Sequence, residues 1–187
     1  LSKKKYQAGT NERKLSDFYK MAMDSARRNQ EGIAPVKPML DEMEAAKTLE
    51  ALRQVQLKYG KMGFGVPFGS YFGADDKNVT MNIFSVGQGG LTLGQKDWYV
   101  NPDKATSDIR EAFKKHIVRM FELFGFNHAD AQRKMQSVFR FETELALVSK
   151  SNVELRDPQA NYNKMTLAQF EETYPNIPLK AYTQAEG

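Results

Sequence analysis

A change of texture at its centre most constrains what this chain can fold into. Most of its 13 glycines fall between residues 60 and 94, and on either side apolar residues recur at helical spacing. Such a pattern admits a mainly helical fold, several helices packed antiparallel, with one small β-hairpin set among them. On the N-terminal side, Leu15, Phe18, Tyr19, Ala22 and Ala26 predict a helix over 13–29 with one apolar face, broken by Gly32 and Pro35. A second helix is expected from Pro38 to Lys58, with Met39, Met43, Leu49 and Leu52 inward. Pro38 suits a first helical position, where its missing N–H has no partner to lose.

Within the glycine-dense region, SYFGA (70–74) and VTMNIFSV (79–86) alternate as strands do, with Val79, Met81 and Ile83 on one face. Asp and Asn in the intervening ADDKN tolerate turn conformations and cap their own backbone, so these runs predict a hairpin. Beyond Pro102, Ile109, Phe113, Ile117, Met120 and Phe124 lie on one helical face, and Gly125 is placed to end that helix. Asn127 caps the next, whose stripe runs Met135, Val138, Glu142, Leu145 and Val148 and is polar only at Glu142. A polar connection over 151–165 holds Pro158, and Thr166 with Gln169 forms a capping box for a last short helix ending near Tyr174–Pro175. No internal repeat or interdomain linker stands out.

Composition limits the function classes. At 187 residues the chain fits one domain, and its 41% hydrophobic content supplies a core. A mean hydropathy of -0.61 and the lack of any apolar run near the roughly 20 residues that span a bilayer argue against a membrane-embedded segment. Residues 1–15 contain no signal peptide, and a start at Leu1 instead of Met suggests processing from something longer. The absence of cysteine removes disulfides, thiol nucleophiles and thiolate metal sites. Charge is uneven: residues 1–30 carry eight Lys or Arg against three acids, whereas the rest carry nineteen against twenty. The sequence pI of ≈ 9.1 therefore reflects the N-terminal segment, with 1–12 expected as a poorly ordered basic tail. No nucleic-acid module accompanies it, so no nucleic-acid partner is expected.

Candidate chemistry is sparse. Catalytic zinc needs three protein ligands and an open position. His116 and His128 are the only histidines, twelve residues apart, and surface or structural roles suit them better. Gly63, Gly65 and Gly69, then Gly87, Gly89 and Gly90, lack the context of a phosphate loop and read as turns and close backbone approaches. Asp75, Asp76, Asn78 and Asn82 lack the mid-loop glycine and terminal Glu of a calcium loop. Asn78-Val79-Thr80 spells a glycosylation sequon, which matters only in a eukaryotic secretory pathway. Glu142 and Glu144 are the obvious acid–base carboxylates, and a salt bridge from Arg140, Lys150 or Arg156 to Glu142 is the expected arrangement. Catalytic, cofactor-binding and metal residues are thus all assigned as none. In 151–165, Arg156 and Asp157 are expected to hydrogen-bond backbone or each other's neighbours and Tyr162 to pack inward, so that Arg156→Ala lowers stability.

Six stretches, in order, resemble the neprilysin-like zinc metallopeptidases: DFYKMAMD (17–24), KPMLDEMEAAKT (37–48), YGKMGFGVPFGSYFGADDKNVTMN (59–82), GGLTLGQKDWYV (89–100), FRFETELA (139–146) and VELRDPQANYNKMTLAQFEETYP (153–175). Trp98 stands in the first aromatic place of that family's Gly-Gly-Leu-x-Leu-x-x-x-Asp-Tyr-Tyr. Ala22 stands where members often carry Cys, which suggests a bacterial-type member. The resemblance implies that residues 1–187 are part of the N-terminal helical lobe of a larger two-lobe enzyme, with the chain ending inside a structural unit. It implies a zinc metalloendopeptidase outside the cytoplasm, periplasmic, secreted or membrane-anchored through a segment not included here. The His-Glu-x-x-His ligands, the catalytic Glu and the Asn-Ala-x-x substrate strand of that family would lie beyond Gly187. This chain would then bind no zinc and cleave nothing alone, and would supply part of the wall of a chamber admitting peptides. Its partners would be the catalytic lobe of the same polypeptide and peptide substrates. The alternative is a self-sufficient extracytoplasmic helical binding module. A lobe parted from its neighbour is also expected to expose apolar surface at Phe64, Phe68, Tyr71, Phe72 and Tyr182, and either to self-associate or to bind a hydrophobic dye strongly.

Overall fold

The computed structural model describes residues 4–60, 62, 64 and 68–186. It is mainly helical, with one antiparallel hairpin, as the spacing of apolar residues predicts. Backbone contacts divide the chain into two units, 1–45 and 46–187, although no linker is legible at that point in the sequence.

The first unit holds α1 (Asn11–Met23), α2 (Ser25–Glu31) and α3 (Lys37–Ala45). Thr10 starts α1 by accepting the Arg13 N–H on its hydroxyl, so the helix begins two residues inside the segment expected to be a tail. The expected single helix over 13–29 is broken at Asp24. There the carboxylate accepts the Arg27 N–H at 2.9 Å and restarts the helix as α2, the side chain competing successfully with a continuous backbone ladder. Gly32, at φ +52, ends α2, a backbone conformation that other residues rarely adopt. Arg13–Asp17, Arg27–Glu31 and Lys37–Asp41 pair one turn apart on exposed surface. Such pairs contribute only about 0.2–0.5 kcal/mol each. The expected inward face of α1 is solvent-exposed, Leu15 at 57% and Phe18 at 65%.

The second unit opens with α4 (Leu49–Gly60). The Thr48 hydroxyl accepts the Ala51 N–H at 3.1 Å, a cap that divides the helix expected over 38–58. Met43, Leu49 and Leu52, expected inward, are exposed. The hairpin follows, β1 (Phe68–Asp75) antiparallel to β2 (Asn78–Gln88), in a register that pairs Phe72 with Phe84 and Phe68 with Gln88. Val79 and Met81 share a face as expected, yet that face is open to solvent.

At the open end of the hairpin, Gly89 shows why no larger residue fits. A methyl there would stand 3.0 Å from the Gly69 nitrogen and 3.1 Å from the Phe68 carbonyl carbon, both backbone atoms that cannot swing aside. Gly89→Ala is expected to destabilise by about 1–3 kcal/mol, read as a lowered midpoint in urea. An unchanged midpoint would show that the two backbones are not packed so closely. Gly63, Gly65 and Pro67 of the other glycine cluster lie outside the described residues.

The core forms around α5 (Asp97–Val100), α6 (Lys104–Leu123) and α7 (His128–Val148). Asp103 caps α6 through the Thr106 N–H, and Asn127 caps α7 through the Asp130 N–H. Between them Gly125, at φ +94, closes the C-terminus of α6, where the Phe126 N–H reaches the Phe121 carbonyl. Tyr99, Phe113, Ile117 and Ala146 are buried together, with Leu91, Leu93, Trp98, Phe121, Met135, Val138 and Phe139 packed around them. Each large side chain so buried contributes about 1.5–3 kcal/mol. A short 3-10 turn (Glu154–Arg156), α8 (Pro158–Asn161), α9 (Leu167–Thr173) and α10 (Leu179–Glu186) complete the unit, α9 beginning at the predicted Thr166–Gln169 capping box.

Candidate functional site

The chemistry-bearing residues of the second unit converge on two carboxylates, and in both cases the structure satisfies them internally. The first is Glu142 on α7. Gly90 and Gly94, at φ +80 and +86, fold the 89–96 segment so that Thr92 faces α7. The Thr92 hydroxyl donates to Glu142 Oε1 at 2.7 Å and the Thr92 N–H to Oε2 at 3.2 Å. Helix α5 then delivers Tyr99, 5% exposed, whose hydroxyl donates to the same Oε2 while accepting the Leu93 N–H at 3.0 Å. Burial, reinforced by its bond to Glu142, pushes the Tyr99 phenol well above its ordinary range. The Tyr99 ring meets Phe113 edge-on at 6.5 Å and Phe139 at 6.1 Å, completing an apolar wall behind the carboxylate.

This corrects the expected salt bridge. Glu142 takes two hydroxyls and a backbone N–H instead of Arg140, Lys150 or Arg156. Arg140 lies 3.9 Å from Glu144 on the exposed side of α7, and Lys150 Nζ donates to Asn161 at 2.6 Å. Arg156 is exposed, which removes the ground for the stability loss expected of Arg156→Ala. Neutral donors can hold a buried carboxylate when enough of them converge.

The second carboxylate is Asp75, at the turn end of the hairpin and 1% exposed. Its Oδ1 accepts the Tyr162 hydroxyl at 2.8 Å and the Lys77 N–H at 2.9 Å, and its Oδ2 accepts Lys164 Nζ at 2.5 Å. Those bonds, Lys164 first, hold the Asp75 carboxyl down at about 2. Lys77 Nζ sits 4.3 Å over the Tyr162 ring and closes the cluster. Tyr162 thus packs inward as expected, and Asp157 caps α8 through the Gln159 and Ala160 N–H groups. The sequence places Asp75 in a turn and Tyr162 inward, but does not join the two and does not single out Lys164. The available signal was that ADDKN and YNK both belong to the stretches that carry the family resemblance.

The remaining candidates do not assemble. His116 is exposed on α6, and His128 pairs with Glu122 at 2.8 Å on the surface. Among the described residues no group of three or more His, Cys, Asp or Glu side chains could hold a metal ion, so these residues do not fit a catalytic zinc. Gln88, Gly89, Gly90, Leu91, Gly94 and Ser149 line a cavity of ≈ 70 Å³, which suits ordered water and not a peptide. Lys96 Nζ meets the Leu147 and Ser149 carbonyls at 3.3 and 3.0 Å, placing a cation at the C-terminus of α7.

The chain is similar to known proteins in sequence and in fold. A sequence model described as Peptidase family M13, for the N-terminal domain of that family, matches residues 1–187. The chain is 26% identical to neprilysin-3 of Drosophila melanogaster over 174 residues, 88% of this chain. It is 27% identical to endothelin-converting enzyme 1 of Mus musculus over 176 residues, 89% of this chain. It spans only 22% of the length of each of these two relatives. Its fold matches that of a zinc metalloprotease, Zmp1, of Mycobacterium tuberculosis with a TM-score of 0.87 at 24% identity, covering 97% of this chain and 28% of that one. PepO of Lactobacillus rhamnosis matches with a TM-score of 0.75 at 24% identity, covering 92% of this chain and 27% of that one. With the six ordered stretches, the mainly helical fold and the profile match over its whole length, the chain belongs to peptidase family M13, the neprilysin-like metallopeptidases.

Proposed function

We propose that this chain is a non-catalytic part of a zinc metalloendopeptidase that hydrolyses peptides, and that it contributes to the wall of the substrate chamber. The observation that carries the reading is that both buried carboxylates among the described residues are satisfied within the fold. Glu142 is bonded to Tyr99, and Asp75 to Tyr162 and Lys164, so the groups best suited to acid–base work are already engaged in structure. The peptidase function of the relatives would therefore rest on residues elsewhere in the parent protein, with zinc held there. The partner of this chain is then the catalytic part of the same polypeptide. A location outside the cytoplasm goes with this reading, and among the described residues no helix is long and apolar enough to cross a membrane.

Elemental analysis tests the metal part of the proposal. The purified chain, dialysed against micromolar zinc, is expected to retain well under one zinc per chain. Stoichiometric retention would contradict it.

Self-association of the isolated chain is part of the same reading. Phe64, Tyr71 and Phe72 are exposed as expected, whereas Phe68 is buried and stacks edge-on against Tyr182 at 5.0 Å, which removes those two from the exposed set. Sedimentation velocity over a hundredfold concentration range should show a shift toward dimer. A constant monomer that also binds no hydrophobic dye would favour the self-sufficient binding module.

A further inference from the structure

The polar segment 150–164 and the hairpin are joined at two places, one at each end. At the open end, Gln88 Nε2 donates to the Lys150 carbonyl at 2.9 Å, and the Lys150 N–H donates back to Gln88 Oε1 at 2.8 Å. At the turn end, Tyr162 and Lys164 close on Asp75. Gln88 and Asp75 mark opposite ends of the strand register, so the segment runs alongside the hairpin as a strap fastened top and bottom. Among the described residues, no other hydrogen bond is recorded between strap and hairpin. The strap also braces itself. Glu154 accepts both the Ser151 N–H and hydroxyl at 2.7 Å, and Asn161 donates to the Glu154 and Asp157 carbonyls at 2.9 and 2.7 Å.

The two parts need each other. A two-stranded hairpin alone is marginal in water, and residues 152–160 are exposed and contribute no side chain to the buried cluster around Tyr99. Asp75 is the reverse case, a carboxylate almost without solvent that keeps only the Lys77 N–H of its three partners if Lys164 and Tyr162 leave. Leaving the tip therefore costs enough to make opening a joint event instead of a gradual fraying.

We infer that the hairpin (68–88) and the strap (150–164) form one clasped unit, latched at the tip by Asp75, Tyr162 and Lys164. This unit opens and closes as a whole while the α5–α7 core stays folded. It is a conformational device built into the fold, and it stands whether or not the chamber-wall reading holds.

Hydrogen exchange read by mass spectrometry on the full chain tests it, with Lys164→Met as the main variant. Exchange in segments 78–88 and 158–164 should accelerate together, by about tenfold or more, while 109–121 and 135–146 keep their wild-type rates. Tyr162→Phe removes one bond and keeps the ring beneath Lys77. It should give the same paired pattern at smaller amplitude, and it serves if Lys164→Met does not fold. Acceleration in only one of the two segments would overturn the clasp, as would equal acceleration in the helices or no change in either variant.

Discussion

Glu142→Ala is expected to cost roughly 3 kcal/mol or more, seen as a lowered urea midpoint. The substitution deletes the acceptor for the Thr92 N–H, the Thr92 hydroxyl and the Tyr99 hydroxyl at once, inside the packed core. It also leaves a hole beside Tyr99. A domain of this size holds only about 5–15 kcal/mol in total, so the variant should sit near the limit of folding. Glu142→Gln keeps the shape and one acceptor but turns an amide N–H₂ toward donors, and should cost about 1–2 kcal/mol. Tyr99→Phe leaves both the Leu93 N–H and the carboxylate short of a partner. In that background Glu142→Gln should cost less than it does alone, because the bond it disturbs is already gone. Additive losses would mean that Tyr99 and Glu142 do not act as a pair.

The second large effect is acid sensitivity through Asp75. Its carboxyl is held at about 2, below its ordinary 3.8, chiefly by Lys164. A carboxyl lowered by folding stabilises the folded state wherever it is ionised, so its contribution is complete above about pH 4 and disappears as the pH falls toward 2. Lys164 is raised by the same pair, and its share is present below its ordinary 10.5 and lost as the pH climbs through the raised value. Asp75→Asn opposes an amide N–H₂ to Lys164 or Tyr162, and should produce the largest drop in melting temperature of any single substitution in the hairpin. The gap between wild type and variant should be widest from pH 5 to 8 and narrow as the pH is lowered to 2. A gap that stays constant with pH would show that Asp75 is not ionised in the folded protein.

The legible part of this fold was local. Thr166–Gln169, Asn127 and Gly125 announce helix ends because their effect is spent within four residues, and each stands where its residue type predicts. The breaks at Asp24 and Thr48 are local too, but a capping residue inside an otherwise periodic run is ambiguous until the helix actually stops. Periodicity misplaced the inward faces of α1 and α4, since an apolar stripe says what can be buried and not what covers it. The two carboxylate clusters were illegible for another reason. Glu142 meets partners 50 and 43 residues away, and Asp75 meets partners 87 and 89 residues away. No spacing rule reaches that far. Glu142 is the polar member of an apolar stripe, and the nearest cations in sequence are its expected partners. The fold instead brings a threonine and a tyrosine from the 89–100 stretch, so two of the segments that mark the family turn out to be bonded to each other.

We propose that the residues marking this chain as a peptidase-family member build its fold and take no part in hydrolysis. It is tested most directly by incubating the purified chain, supplied with zinc, with a mixture of short peptides and following cleavage by mass spectrometry with and without a chelator. A zinc-dependent cleavage needs a metal-bound water and a base, which the described residues do not assemble. The expected result is no cleavage above the buffer control in either arm. Peptide cleavage that the chelator abolishes, and that persists through further purification of the chain, would contradict it.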